Sequence, residues 1–121
     1  MKTSRQTIGR WGELQAEQYL SSQGYTILAH NYRTPYGEID LIARLGNLTV
    51  FVEVKTRRTR TFGFPEESVN RRKQEHLRNS VEYYMQQNPE LEGEWQIDVI
   101  SIELYQPQQA PLITHFQNAV S

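Results

Sequence analysis

Two aliphatic stretches, 38–45 (EIDLIARL) and 48–56 (LTVFVEVKT), stand on either side of Gly46-Asn47. Their β-branched and aliphatic content predicts two strands. Gly-Asn predicts the two-residue loop between them, because primed hairpin turns need positive φ. Upstream, apolar positions spaced by three and four residues predict a helix from about Ile8 to Gln23, stopped at Gly24. Tyr25 to Tyr32 (YTILAHNY) alternates like a strand, and Pro35-Tyr36-Gly37 turns the chain into the hairpin. Residues 57–67 read as a basic loop. A second helix is expected around Glu66 to Gln87, with Val69, Leu77, Val81 and Tyr84 on one stripe, and Asn88-Pro89 ends it. Trp95 to Tyr105 predicts another strand and Leu112 to Phe116 a short last one. The order α-β-β-β-α-β-β predicts an α/β domain spanning 1–121, a mixed sheet with helices packed against it.

The hairpin register carries chemistry. If Leu45 and Leu48 flank the turn, facing residues have numbers summing to 93, which sets Asp40 opposite Glu53 and Glu38 opposite Lys55. Facing residues share one side of the sheet with Cβ atoms roughly 5 Å apart, and two carboxylates so placed repel. A divalent cation turns that repulsion into coordination. In the second strand Val50, Val52 and Val54 form one apolar face, and Phe51, Glu53 and Lys55 form the other. Charges in so hydrophobic a strand need partners. The plainer alternative is a Glu38–Lys55 ion pair with Asp40 and Glu53 facing water at a sheet edge, which leaves the repulsion unexplained. Hard carboxylate oxygens select Mg²⁺ or Mn²⁺ over zinc. His30, His76 and His115 are scattered without ligand spacing and are expected to be structural.

Charge changes the picture more than composition does. Apolar residues make up 37% and charged residues 22%, as in globular domains. No apolar run approaches the roughly 18 residues of a membrane span, and the N-terminus, MKTSRQTIGRWGE, lacks the hydrophobic region of a secretory signal. No membrane association and a cytoplasmic location are the expectations. The absence of cysteine excludes disulfides, thiolate metal sites and a Cys nucleophile. The net charge of −1 conceals a strong asymmetry: residues 55–78 carry eight basic side chains against three acids, and residues 79–121 carry six acids and no Lys or Arg. A basic segment that begins beside the carboxylates predicts a phosphate-binding patch, formed by Arg57, Arg58, Arg60, Arg71 and Arg72 with Lys73. The alternative is a solvated loop and helix face. The acidic C-terminal third offers a face to a protein partner.

Three further residues bear on the site. Gly9, Gly12, Glu13, Ala16 and Leu20 share one helix face. Small residues let a helix approach a sheet closely, so Glu13 is a candidate third acid, though most Glu residues are simply exposed. Lys55 lies on the same strand face as Glu53, where a lysine beside a metal-bound phosphate stabilises developing negative charge. Lys73 falls on the inward stripe of the second helix and either snorkels or points into a site. Neither a P-loop nor a Gly-rich dinucleotide fingerprint is present.

The set Glu13, Asp40 and Glu53-Val54-Lys55 resembles the signature of the PD-(D/E)XK nuclease superfamily, with its restriction-endonuclease-like fold. More closely, Gly9-x-x-Gly12-Glu13-x-x-Ala16, Gly24-Tyr25, Gly37-Glu38-Ile39-Asp40-Leu41-Ile42-Ala43 and Phe51-Val52-Glu53-Val54-Lys55-Thr56-Arg57 resemble the YraN-like family of bacterial proteins. That family is similar to the archaeal Holliday-junction resolvases. The resemblance runs from about Ile8 to the strand around Asp98. It implies an αβββαβ core, with Glu13, Asp40, Glu53 and the Val54 carbonyl as metal ligands and Lys55 as catalytic lysine; Glu38, placed opposite Lys55 by the register, is a candidate supporting residue. One departure is Ile39, where the superfamily pattern has proline, a residue that ligates nothing. The implied activity is Mg²⁺- or Mn²⁺-dependent endonuclease cleavage of nucleic acid, DNA favoured and branched DNA included, in repair or recombination. The competing class is a binding module without catalysis, or an accessory subunit of such an assembly. If the junction-resolvase likeness holds, symmetric cutting of two strands predicts a C2 homodimer.

Overall fold

The computed structural model describes residues 4–57, 70–105 and 109–120, with side chains from Ile8 onward. The elements are α1 (Ser4–Ser22), β1 (Thr26–Thr34), β2 (Gly37–Leu45), β3 (Leu48–Arg57), α2 (Arg71–Gln87), β4 (Glu94–Glu103) and β5 (Leu112–Val120). The expected order of elements is therefore the observed one. All five strands form one sheet in the order β1-β2-β3-β4-β5. β1, β2 and β3 run as an antiparallel meander, β4 lies parallel to β3, and β5 returns antiparallel to β4. The parallel β3–β4 pair needs a crossover, and α2 supplies it.

Both faces of the sheet are covered, which explains why β3 is apolar on both sides. On one face Ala16 and Leu20 of α1 pack on Leu41, Ala43, Val50, Val52, Ile100 and Ile102. On the other Leu77, Val81 and Tyr84 of α2 pack on Ile39, Ile42, Phe51, Ile97 and Val99. The alternation expected for β3 is therefore correct, with the valines toward α1 and Phe51 toward α2. Gly12 permits the close approach of α1: a Cβ there would stand 1.8 Å from Thr56 Oγ1, and only glycine fits. α1 ends at Gly24, whose φ of 93° and the Tyr25 N–H bond to the Leu20 carbonyl close the last turn.

The structure moves the boundaries of several elements, α1 starting at Ser4 and β1 running to Thr34 among them. α2 starts at Arg71, because Asn70 is extended and caps the helix by accepting the Lys73 N–H at 2.9 Å. Of the expected earlier start, residues 66–69 lie outside the described residues, as do Val69 of the stripe and positions 58–67 of the basic loop. Arg57 belongs to β3, not to that loop. β5 continues past Phe116 to Val120 through an irregularity in its pairing with β4, with Asn118 at φ 52°. No helix among the described residues is long and apolar enough to cross a membrane.

Candidate metal and phosphodiester site

The β2–β3 ladder runs with sums of 93 from Leu45–Leu48 to Leu41–Val52, the anticipated register. It stops there. The next main-chain donor of β3 toward β2, the Val54 N–H, goes to the Asp40 carboxylate at 2.8 Å. Asp40 thus ends the ladder with its side chain and stays on the α2 face beside Glu53. Since the N–H and C=O of one strand residue point to the same flank, the Val54 carbonyl is also directed toward the Asp40 side.

The pairing across β1 breaks at the same level. His30 pairs with Leu41 and Tyr32 with Ile39, but Asn31 and Asp40 between them do not pair. Asn31 has φ 49°, a left-handed conformation that Asn tolerates better than most residues. Its Nδ2 donates to both Glu13 oxygens, at 3.2 and 3.3 Å, and to Glu38 Oε1 at 3.1 Å. Glu13 therefore reaches the edge of the site from α1, with its carboxylate engaged by Asn31. Glu38 is exposed and pairs with Arg33 at 3.7 Å, while Lys55 pairs with Glu53 at 3.2 Å. The Glu38–Lys55 ion pair of the plainer alternative is not the pairing observed.

Glu53 is the buried centre, 6% exposed. It holds Lys55 on its own strand and Lys73 of α2, the latter at 2.6 Å. Lys73 is thus turned into the carboxylate cluster instead of lying outward with Arg71 and Arg72, which are exposed. Burial pushes the Asp40 carboxyl up to about 7, helped by the neighbouring charge of Glu53 and, less, of Glu13; the Val54 N–H and Lys73 oppose the shift. Burial and the touching Lys73 amine hold Lys55 below the ordinary lysine range, against the pull of Glu53. Burial works against the charge of Lys73 too, but its contacts with Glu53 and Lys55 outweigh it and the group sits above its ordinary value. In register with Lys55 on β4 lies Ser101, whose buried Oγ has no hydrogen-bond partner among the described residues.

These donors suit a hard divalent cation. Among the described residues no three carboxylate or imidazole side chains form a preformed cage. What the cluster offers is carboxylate oxygen gathered at one point, with Asp40 raised mainly by burial and then by Glu53, and with Lys55 and Lys73 serving as counter-charges to Glu53. A cation held by Asp40 and Glu53 would take over that role, and Glu13 and the Val54 carbonyl are the remaining oxygens of the expected set. Of the residues expected to contact phosphate, Arg57 is half-buried at the end of β3 and Arg71 and Arg72 open α2, whereas Arg58 and Arg60 lie outside the described residues. A cleft of about 270 Å³ adjoins the site, lined by Tyr36, Glu38, Asp40, Glu53, Lys73 and His76.

Sequence reasoning misses Asn31, and for His115, structural as expected, it misses the partners. Asn in the middle of a strand is itself a signal, since Asn is depleted from strands. His115 on β5 hydrogen-bonds Asp98 at 2.6 Å and Tyr19 at 3.1 Å, and no local spacing links three residues so distant in the chain.

The profile of the uncharacterised protein family UPF0102 matches residues 12–102, a span that includes every acid of the site. Similar proteins include a UPF0102 protein of Alkaliphilus oremlandii, 45% identical over 93% of this chain and 96% of its own length. One of Dehalococcoides mccartyi is 39% identical over 99% and 98%, and one of Syntrophomonas wolfei is 46% identical over 78% and 83%.

Proposed function

We propose that this chain, which belongs to the YraN-like family UPF0102, is a metal-dependent phosphodiesterase that cleaves nucleic acid, DNA in preference. The observation that carries this reading is the break at Asp40. Two acids, Asp40 and Glu53, are gathered where β2 leaves β3, and two lysines, Lys55 and Lys73, crowd the same carboxylate. A purely structural site would gain more from apolar residues of similar volume than from such a cluster.

Asp40, Glu53, Glu13 and the Val54 carbonyl would hold Mg²⁺ or Mn²⁺. When bound, the ion supplies a lowered pKa for a coordinated water and neutralises phosphate charge. Lys55, partly buried beside Glu53, lies where it can donate to a phosphoryl oxygen and stabilise the charge that develops there. Its depressed pKa also makes proton exchange with a water nucleophile easier near neutral pH. Lys73 holds Glu53 in its present position. Arg57, Arg71 and Arg72 border the site and suit contacts with flanking phosphates, which position a nucleic acid without reading its bases.

A second reading has one observation in its favour. The tight Lys73–Glu53 pair is also how a non-catalytic binding module or accessory subunit would neutralise a buried acid. Incubation of labelled linear duplex, single strand, flap and four-way junction DNA, and the matching RNAs, with Mg²⁺ or Mn²⁺ separates the two. Metal-dependent cleavage of any of them supports the enzyme. Binding with no product on every substrate would leave the module.

A further inference from the structure

The turn between β1 and β2 holds an exposed aromatic ring on a clamped backbone. Tyr36 is 49% exposed at the wall of the cleft beside Asp40 and Glu53. Its N–H donates to Thr34 Oγ1 at 3.1 Å, and the Thr34 hydroxyl donates to the Gly37 carbonyl at 2.8 Å. Thr34 Oγ1 also lies 2.8 Å from Ser80 Oγ of α2, a residue only 2% exposed. The hydroxyl of Thr34 gives one bond and receives two, tying the turn both to itself and to the helix across the cleft. A ring carried on such a turn loses little freedom when something stacks on it, which is the usual advantage of a preorganised contact.

The cleft that Tyr36 borders has a volume of about 270 Å³ and includes His76 and Lys73 of α2. That lies near the lower end for small-ligand sites, room for one base with its sugar-phosphate and too little for a stacked pair. Aromatic side chains are the common platform for unpaired bases, because every base presents a π face, and here the ring stands beside Lys73 and His76 as well as the acids Glu38, Asp40 and Glu53.

Resting on the nuclease reading, we infer that Tyr36 is a stacking platform for a single unpaired base, and that the substrate class of this site is nucleic acid with an unpaired nucleotide next to the phosphate to be cut. A flap or overhang has such a nucleotide. In continuous duplex it would first have to be extruded, at a cost of a few kcal/mol.

Fluorescence anisotropy in Ca²⁺ can compare a blunt DNA duplex with the same duplex carrying a short single-stranded overhang that contains 2-aminopurine. The parent should bind the overhang form about 5- to 100-fold more tightly, as expected for one stacked base, and should quench the 2-aminopurine. Tyr36→Phe, which keeps the ring, should retain both effects. Tyr36→Ala should lose both while melting at the parental temperature, since the side chain is exposed. A parent without preference, a Tyr36→Ala protein that keeps it, or a Tyr36→Phe protein that loses it would each overturn the inference. In those cases cleavage in Mg²⁺ would still support the nuclease. A parent that neither binds nor cuts any form would overturn both.

Discussion

Two aspartates, Asp98 buried and Asp40 partly buried, differ sharply in how their carboxylates are satisfied. Asp98, in the middle of β4, is fully buried and fully satisfied. Its Oδ1 accepts from the Asn118 N–H at 2.8 Å and from Gln96 Nε2 at 2.9 Å, and its Oδ2 meets His115 at 2.6 Å. His115 in turn meets the Tyr19 hydroxyl of α1. A neutral imidazole with its proton on Nε2 satisfies both neighbours. Asp40, on β2, has one main-chain donor and faces another carboxylate, and its carboxyl is pushed up to about 7. A buried acid surrounded by donors organises the fold. One held by a single donor beside a like charge carries a cost in its ionised form.

Removing each feature tests that contrast. The largest stability effect belongs to Asp98→Ala, which leaves the Asn118 N–H and His115 without their acceptor. Denaturant unfolding should show a loss of about 3–5 kcal/mol, since each of the three donors to Asp98 left unsatisfied costs about 1–3 kcal/mol; a loss under about 1 kcal/mol would contradict the structural assignment. Lys55→Ala should leave the fold nearly intact and slow cleavage about 10²–10³-fold, as when one charge-stabilising donor is removed. Parental rates from that variant would reject the mechanism proposed for the site.

Asp40→Asn should act in the opposite sense on stability. A carboxyl raised in the folded state is protonated more readily there than in the unfolded chain. Its contribution is fully present below about pH 4 and lost as pH rises through 7. Asparagine keeps an acceptor for the Val54 N–H and carries no charge. Without added metal the variant should therefore match the parent near pH 4 and exceed it by up to about 4 kcal/mol at pH 8. Equal stability at pH 8 would mean that burial and Glu53 impose no cost on the ionised Asp40, and the comparison would fall. The smallest effect is expected at Asn31. Asn31→Gly keeps the φ of 49° available but deletes the amide that holds Glu13, so the folded state should barely change. Mn²⁺ affinity, read by calorimetry, should weaken about tenfold, as for other groups that orient a ligand. An unchanged affinity would make Asn31 a feature of the strand alone.

How much of this is legible in the sequence follows the range of the interactions. The hairpin is local, so the Gly46-Asn47 turn and the aliphatic alternation are enough to predict the Leu41–Val52 to Leu45–Leu48 register. The close approach of α1 is legible too, because Gly12 and Ala16 lie on one helix face. The break of the ladder at Asp40 is not, since it depends on a side chain taking a main-chain donor from the opposite strand. The extension of β5 beyond Phe116 escapes for a similar reason. Gln117 and Asn118 read as the end of a strand, yet Asp98, twenty residues earlier, supplies the acceptor that holds Asn118 in its bulge. The position of Lys73 on an inward stripe is visible, but its choice of Glu53 appears only once α2 is laid across β3.

The central claim is that Asp40 and Glu53 form a divalent-cation site. Its most direct test is thermal unfolding of the parent and of Asp40→Asn across a Mn²⁺ titration. A cation that binds only the folded state raises the melting temperature by mass action. The parent should therefore climb steadily with Mn²⁺ concentration, and Asp40→Asn, though more stable without metal at pH 8, should stay flat. The same upward shift in both proteins, or none in the parent, would contradict the account.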